Sequence, residues 1–194
     1  MKNACMITLV LLLGACGGGA DSSAPPEDRN AADTMAVSVG NEPPAGTPAT
    51  PTGAADYVAQ AGAGDLWEIE SSKALLAKSG RADVRKFAQM MIDQHGQSTA
   101  KIKAAAAAAG LQATPAELDT NQQKMLDEIE AADATGIDAV YLAHQRAAHD
   151  AALALHNAYA TNGDTEVFKK TAGEIVPVVE AHRAELDKLA AAGR

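Results

Sequence analysis

Residues 82–110 read ADVRKFAQMMIDQHGQSTAKIKAAAAAAG, and their apolar side chains recur at the 3.6-residue period of an α-helix. The stripe on one face comprises Val84, Phe87, Met91, Ile102 and Ala106. Gly110 follows the alanine run and is a typical helix terminator. The segment therefore predicts a long amphipathic helix, and its alanines indicate a thin helix that packs closely against its neighbours.

Helix start and stop signals on both sides of this segment predict four more helices. Thr114, followed by Pro115 and Glu117, is expected to be the N-cap of the third helix. Asp164 is expected to cap the fifth helix, in which Pro177 should cause a kink because the apolar stripe continues beyond it. The predicted helices begin near residues 57, 82, 115, 138 and 165 and end near residues 79, 109, 133, 161 and the C-terminus.

These five helices predict an all-α fold. Short links make consecutive helices antiparallel, and the short third helix is the natural crossover between two pairs of long ones. This order matches a ferritin-like four-helix bundle with an additional crossover helix. An aromatic content of only 3% argues against an all-β module. We expect the bundle to occupy residues 55–194.

The N-terminus has the features of a bacterial export signal. Lys2 precedes an apolar run at residues 7–13, and the small residues Gly14 and Ala15 stand immediately before Cys16. The sequence Leu-Gly-Ala-Cys at residues 13–16 also resembles the lipobox, in which the cysteine receives lipid and becomes the new N-terminus. We therefore expect a lipoprotein signal peptide at residues 1–15 and lipidation of Cys16; the alternative is ordinary cleavage beside an incidental cysteine.

Lipidated Cys16 would attach the protein to a membrane, and a glycine rather than an aspartate after it favours the outer membrane, with the bundle facing the periplasm. Residues 16–54 are rich in proline, glycine and alanine and predict a disordered tether. No cysteine follows Cys16, which excludes disulfides, thiolate nucleophiles and cysteine-ligated metals from the mature domain. The net charge of -9 argues against nucleic acid as a partner.

Histidines and one glutamate supply the candidate functional residues. Each of the four long helices places one of them on or near its apolar face; His182, for example, continues the stripe of Ile175 and Val178. The four residues are Glu68, His95, His149 and His182. At about 1.5 Å per residue, they lie about 15, 20, 17 and 15 Å from the end of the bundle near Gly80, and so form one layer.

One carboxylate and three imidazoles suit Zn, Fe, Mn or Cu, whereas calcium and magnesium prefer shells of oxygen ligands. The alternative is that these histidines are polar core residues that bond to the backbone or to one another. His144 should face elsewhere on its helix, and His156 lies about 10.5 Å along the axis from His149, too far to share its ion.

Several motifs together resemble a family of exported bacterial proteins with a ferritin-like domain of unknown function, often labelled as outer-membrane proteins. The motifs are Trp67-Glu68-Ile69-Glu70, Val84-x-x-Phe87-Ala88-x-x-Met91-Ile92-x-x-His95, Gly136-Ile137-Asp138 with Tyr141 and His149, and Val176-Pro177 with His182. The resemblance implies a ferritin-like bundle in which Glu68, His95, His149 and His182 occupy the recurrent acidic and histidine positions. Gln94 stands where an aspartate usually precedes the histidine. The family implies no particular activity.

Three hypotheses for function follow. The first is a lipid-anchored envelope bundle that binds one transition-metal ion, for sequestration or stress protection. The second is a non-catalytic structural or protein-interaction module of the envelope without a metal. An enzyme ranks third, because it requires an open coordination position and a pocket, and the sequence shows neither. Ile92, Arg146 and Val179 stand where the di-iron motif Glu-x-x-His requires glutamate, which argues against ferroxidase or di-iron oxygenase chemistry. The sequence therefore favours a binding or structural protein over an enzyme.

Overall fold

A computed structural model describes residues 51–193, which contain five α-helices and no strand. The helices are α1 (Ala54–Lys78), α2 (Ala82–Ala108), α3 (Thr120–Ala131), α4 (Ile137–Asn162) and α5 (Glu166–Ala192). The prediction of an all-α fold is confirmed. The predicted signal peptide, Cys16 and most of the predicted tether lie outside the described residues.

The four long helices form an antiparallel bundle in which α1 and α5 each contact both α2 and α4. Side-chain pairs show the direction of α1 against α4: Tyr57 stacks on Tyr159, while Ser72, fifteen residues later, bonds Tyr141. The short helix α3 lies outside the four and packs on α1 and α4. It is the crossover helix that the sequence predicted.

The start of α3 differs from the prediction at Thr114. The N-cap is Asp119, whose side chain accepts a 2.8 Å hydrogen bond from the backbone N–H of Gln122. The Gln122 side chain accepts in return from the Asp119 backbone N–H at 2.9 Å, which completes a capping box. Residues 111–119 stay non-helical and run against α1, where a Cβ added to Gly62 would lie 3.3 Å from Ala116. The reciprocal cap therefore sets the start of α3.

Asp164 does not cap α5 as predicted, since the N-cap is Thr165, without a side-chain cap bond. One oxygen of Asp164 accepts from the Tyr159 and Thr165 hydroxyls, at 2.8 and 2.9 Å. The other accepts from the backbone N–H of Ala54 at 3.4 Å. Asp164 therefore ties the α4–α5 turn to the first turn of α1.

Two hydrophobic clusters fill the ends of the bundle. The cluster near the α1–α2 turn contains Trp67, Leu75, Phe87, Met91, Tyr141 and Leu186. The cluster at the opposite end contains Tyr57, Ile102, Tyr159, Phe168 and Ile175. The predicted stripe of α5 is wrong at one position, because Val178 is 36% exposed and its neighbour Val179 is buried. Helix α5 continues through Pro177 to Ala192.

His156 belongs to the second end of the bundle, where its Nδ1 lies 3.0 Å from the Tyr57 hydroxyl. Burial lowers its pKa to about 4. The folded state therefore resists protonation of this ring, while the unfolded chain takes up a proton below about pH 6.5. Because the unfolded state binds more protons between pH 6.5 and about 4, stability falls as the pH is lowered through that window.

We expect His156→Gln to remove this part of the pH dependence, because glutamine does not titrate. Between pH 7 and 4.5 the wild-type free energy of unfolding should fall by about 2 kcal/mol more than that of the variant. Urea unfolding at several pH values measures the difference. Equal pH slopes for the two proteins would contradict the assignment of this loss to His156.

Candidate metal centre

Three buried histidines from three helices meet between the two hydrophobic clusters. His95 comes from α2, His149 from α4 and His182 from α5, and one nitrogen of each lies within 4.8 Å of the others. The ring centroids are 5.3–5.8 Å apart. These residues are called the histidine cluster below. It lies in the layer that the helical rise predicted.

Each ring of the histidine cluster has one nitrogen directed at an oxygen on its outer side. The oxygens belong to a carboxylate, a backbone carbonyl and a side-chain amide, and they can only accept, so the ring nitrogens donate. Such bonds fix the tautomer and orientation of metal-binding histidines. The pairs are His95 Nδ1 with Asp65 Oδ1, His149 Nδ1 with Gln145 O, and His182 Nε2 with Gln94 Oε1, each at 2.8 Å.

The remaining ring nitrogens are directed away from these outer oxygens. Nε2 of His149 lies 3.2 Å from Nδ1 of His182. Nε2 of His95 is buried and has no hydrogen-bond partner. In neutral rings that donate outward, the second nitrogen carries a lone pair and no hydrogen. Two lone pairs at 3.2 Å repel each other, and a cation between them would remove that repulsion.

Glu68 lies in the same layer but on the outer side of His149. Its Oε1 is 3.2 Å from His149 Nδ1, and its Oε2 is buried without a partner. The group of nitrogens within 4.8 Å comprises only the histidines. The structure therefore brings three of the four predicted ligands together and places Glu68 beside them as a neighbouring carboxylate.

Burial and charge set the protonation of the three rings differently. Burial, together with the other two imidazoles, lowers the pKa of His182 to about 3. Burial also lowers the pKa of His149. Burial opposes the charged form of His95 as well, but the bond to Asp65 and the nearby Glu68 outweigh it and raise its pKa. His149 and His182 are thus neutral at pH 7.

Three residues that orient the rings were not predicted to do so from the sequence. Asp65 precedes Glu68 by three positions, so the helical period places both on one face, and Gln145 contributes its backbone carbonyl, one turn before His149. Gln94 stood out only as a departure from the family pattern. Its side chain contacts His182 and so joins α2 to α5. The residue spacing within one helix cannot predict a contact between two helices.

The other two histidines lie outside the histidine cluster, which agrees with their predicted positions. His144 Nε2 lies 2.8 Å from Glu128 Oε2 on α3. His156 pairs with Tyr57 at the end of the bundle. Neither contributes to the group of nitrogens within 4.8 Å.

We expect nitrogen-15 spectra of the metal-free protein at pH 7 to show a hydrogen on Nδ1 of His149 and on Nε2 of His182. Gln94→Leu should shift the His182 tautomer, because it removes the oxygen that accepts the Nε2 hydrogen, and should leave His149 unchanged. Gln97→Leu, at an exposed position of the same helix, is the matched control. A hydrogen on Nδ1 of His182 in the wild type would contradict the arrangement.

The comparisons with known proteins agree with this fold. The crystal structure of a DUF305 fragment from Deinococcus radiodurans is similar, with a TM-score of 0.62 and 13% identity. The match covers 73% of this chain and 97% of that chain. No curated protein matches the sequence significantly. A family model described as a domain of unknown function (DUF4142) matches residues 39–189, and the chain therefore belongs to that family.

Proposed function

We propose that this protein binds one transition-metal ion at the histidine cluster, with Zn, Fe, Mn and Cu as the candidate metals. The outward bonds of all three rings are the observation that carries the proposal, because they leave three nitrogens available on the inner side. Histidine nitrogens bind these metals, whereas calcium and magnesium require oxygen ligands.

The spacing of the nitrogens supports a single ion. Bonds of about 2.0–2.1 Å in a tetrahedral site place ligand nitrogens roughly 3.4 Å apart. The inner nitrogens of His149 and His182 are 3.2 Å apart and already have this spacing. The three ligand atoms lie within 4.8 Å of one another, so the side chains need to move by only about 1 Å to reach bonding distance of one ion.

Nearby carboxylates favour a cation over a neutral occupant. Asp65 and Glu68 are 5% and 3% exposed, and both border the histidine cluster. Negative charge in a buried site stabilises a positive ion there. A bound ion would provide Lewis acidity at this point. Retention of a metal in the core suits sequestration or stress protection.

We further propose that the bundle acts in the bacterial cell envelope, attached to the outer membrane through lipid on Cys16. The lipobox-like residues 13–16 support this location. None of the helices in residues 51–193 combines the length and apolar character that a membrane crossing requires.

Metal reconstitution tests the first part of the proposal. The chain from residue 17 onward, prepared without a histidine tag, should retain one equivalent of at least one of the four metals after desalting. His95→Ala and His182→Ala should each weaken binding more than about tenfold, since even residues that only orient a ligand contribute that much. His144→Ala, outside the cluster, should bind as the wild type does. Failure to retain any metal, or equal binding by the cluster variants, would contradict the proposal and favour the structural module.

Mass spectrometry of the full chain expressed in a Gram-negative host tests the second part. We expect Cys16 to be the mature N-terminal residue and to carry lipid. Cys16→Ser should remove the protein from the detergent-extracted membrane fraction, because the acceptor thiol is lost. Cleavage at another residue, or an unmodified Cys16, would contradict lipid attachment.

A further inference from the structure

A cavity of about 730 Å³ lies within the part of the chain that the structure describes, and His95 and His182 of the histidine cluster border it. Small residues of α1 and α4 form much of its wall, and they leave the space because their side chains are too short to fill it. Among them are Ala63, Gly64, Ala148 and Ala151. A mainly apolar wall with a few polar groups, and a volume of about 300–1,000 Å³, is typical of small-molecule sites.

Four residues in the wall have buried polar atoms without hydrogen-bond partners. They are Trp67 Nε1, Glu68 Oε2, His95 Nε2 and Ser98 Oγ, in residues that are 1%, 3%, 6% and 8% exposed. An unpaired buried polar group costs about 1–3 kcal/mol, and folded proteins rarely leave one without a partner or a bound molecule. The histidine cluster does not include Ser98 or Glu68, so a metal ion bound there would not provide a partner for the unpaired oxygen of either residue.

The charged residues of the cavity wall determine which charge a bound small molecule can carry. Four carboxylates and no lysine or arginine occur among the residues of the wall. The carboxylates are Asp65, Glu68, Glu117 and Asp119. An anionic head group would be repelled here, whereas an ammonium group can donate a charge-assisted hydrogen bond to the unpaired Glu68 oxygen.

We propose that the cavity binds a primary aliphatic amine, with its ammonium group at the unpaired Glu68 oxygen and its hydrocarbon chain against the small apolar residues. The apolar wall buries the chain, which supplies affinity in proportion to the area removed from water. This site does not require a metal.

Binding of n-octylammonium to the chain from residue 17 onward, stripped of metal with a chelator, tests the proposal. Trp67 is the one tryptophan of the sequence, is buried and lines the cavity, so its fluorescence reports occupancy. We expect saturable binding of one equivalent, and at least tenfold weaker binding of n-octanoate, which has the same chain length and the opposite charge.

Gly64→Leu should weaken octylammonium binding at least tenfold. A Cβ at Gly64 meets no atom within 4 Å, so the new side chain occupies the cavity without displacing its neighbours, and leucine favours the helix over glycine. Gly173→Leu on α5 is the matched control, because its Cβ also meets no atom within 4 Å but the residue does not line the cavity. Ala151→Leu, at an exposed position of the wall, is a second blocking variant.

Glu68→Gln tests the position of the head group. It should weaken binding of octylammonium while binding of n-octanol changes little, because only the charged head requires the carboxylate. Equal binding of octanoate and octylammonium, unchanged binding to both blocking variants, or no binding of octylammonium would each overturn the proposal. Metal retention is measured separately, so failure of either proposal is distinguishable from failure of the other.

Discussion

The centre of the bundle depends on the pairing of each buried imidazole with an oxygen on its outer side. Asp65 on α1 orients a ring of α2, and Gln94 on α2 orients a ring of α5. These bonds are directional, and the loss of one leaves a buried group unpaired at about 1–3 kcal/mol. Apolar contacts on either side are not directional and permit sliding. The polar layer therefore sets the register of the helices.

Side-chain size varies along the bundle axis. Aromatic rings fill both ends, where Tyr57 stacks on Tyr159 at a centroid distance of 4.1 Å and Phe87 packs edge-on against Tyr141. Alanine and glycine are frequent around the middle, where the cavity lies. The ends thus supply most of the hydrophobic stabilisation, and the middle can retain space and unpaired polar atoms. Such local departures from ideal packing occur mainly at functional sites.

The sequence predicted the features that a single helix determines. The constant rise of a helix placed His95, His149 and His182 at one level, and the structure brings them together. Thr114 and Asp119 both follow capping rules, and the choice between them depends on the connector that packs against α1, which is a tertiary contact. The rotation of α5 about its axis likewise buries Val179 rather than Val178, and that rotation depends on the helices that pack against α5.

The role of Gln94 shows the same limit in the candidate site. It is adjacent to His95 in sequence, but neighbours in a helix point about 100° apart, so it bonds a ring on another helix. Helix order around the bundle is needed to identify that partner.

The hydrogen bonds of Asp164 affect how the bundle responds to a force on the chain. Its carboxylate bonds Ala54 and its backbone N–H bonds Thr52, so the place where the chain enters α1 is fastened to the α4–α5 turn. A pull on the chain before residue 51 would first strain this short set of bonds, and the Tyr159 hydroxyl would pass part of the force into α4. The first helix would therefore resist unfolding from its N-terminal end.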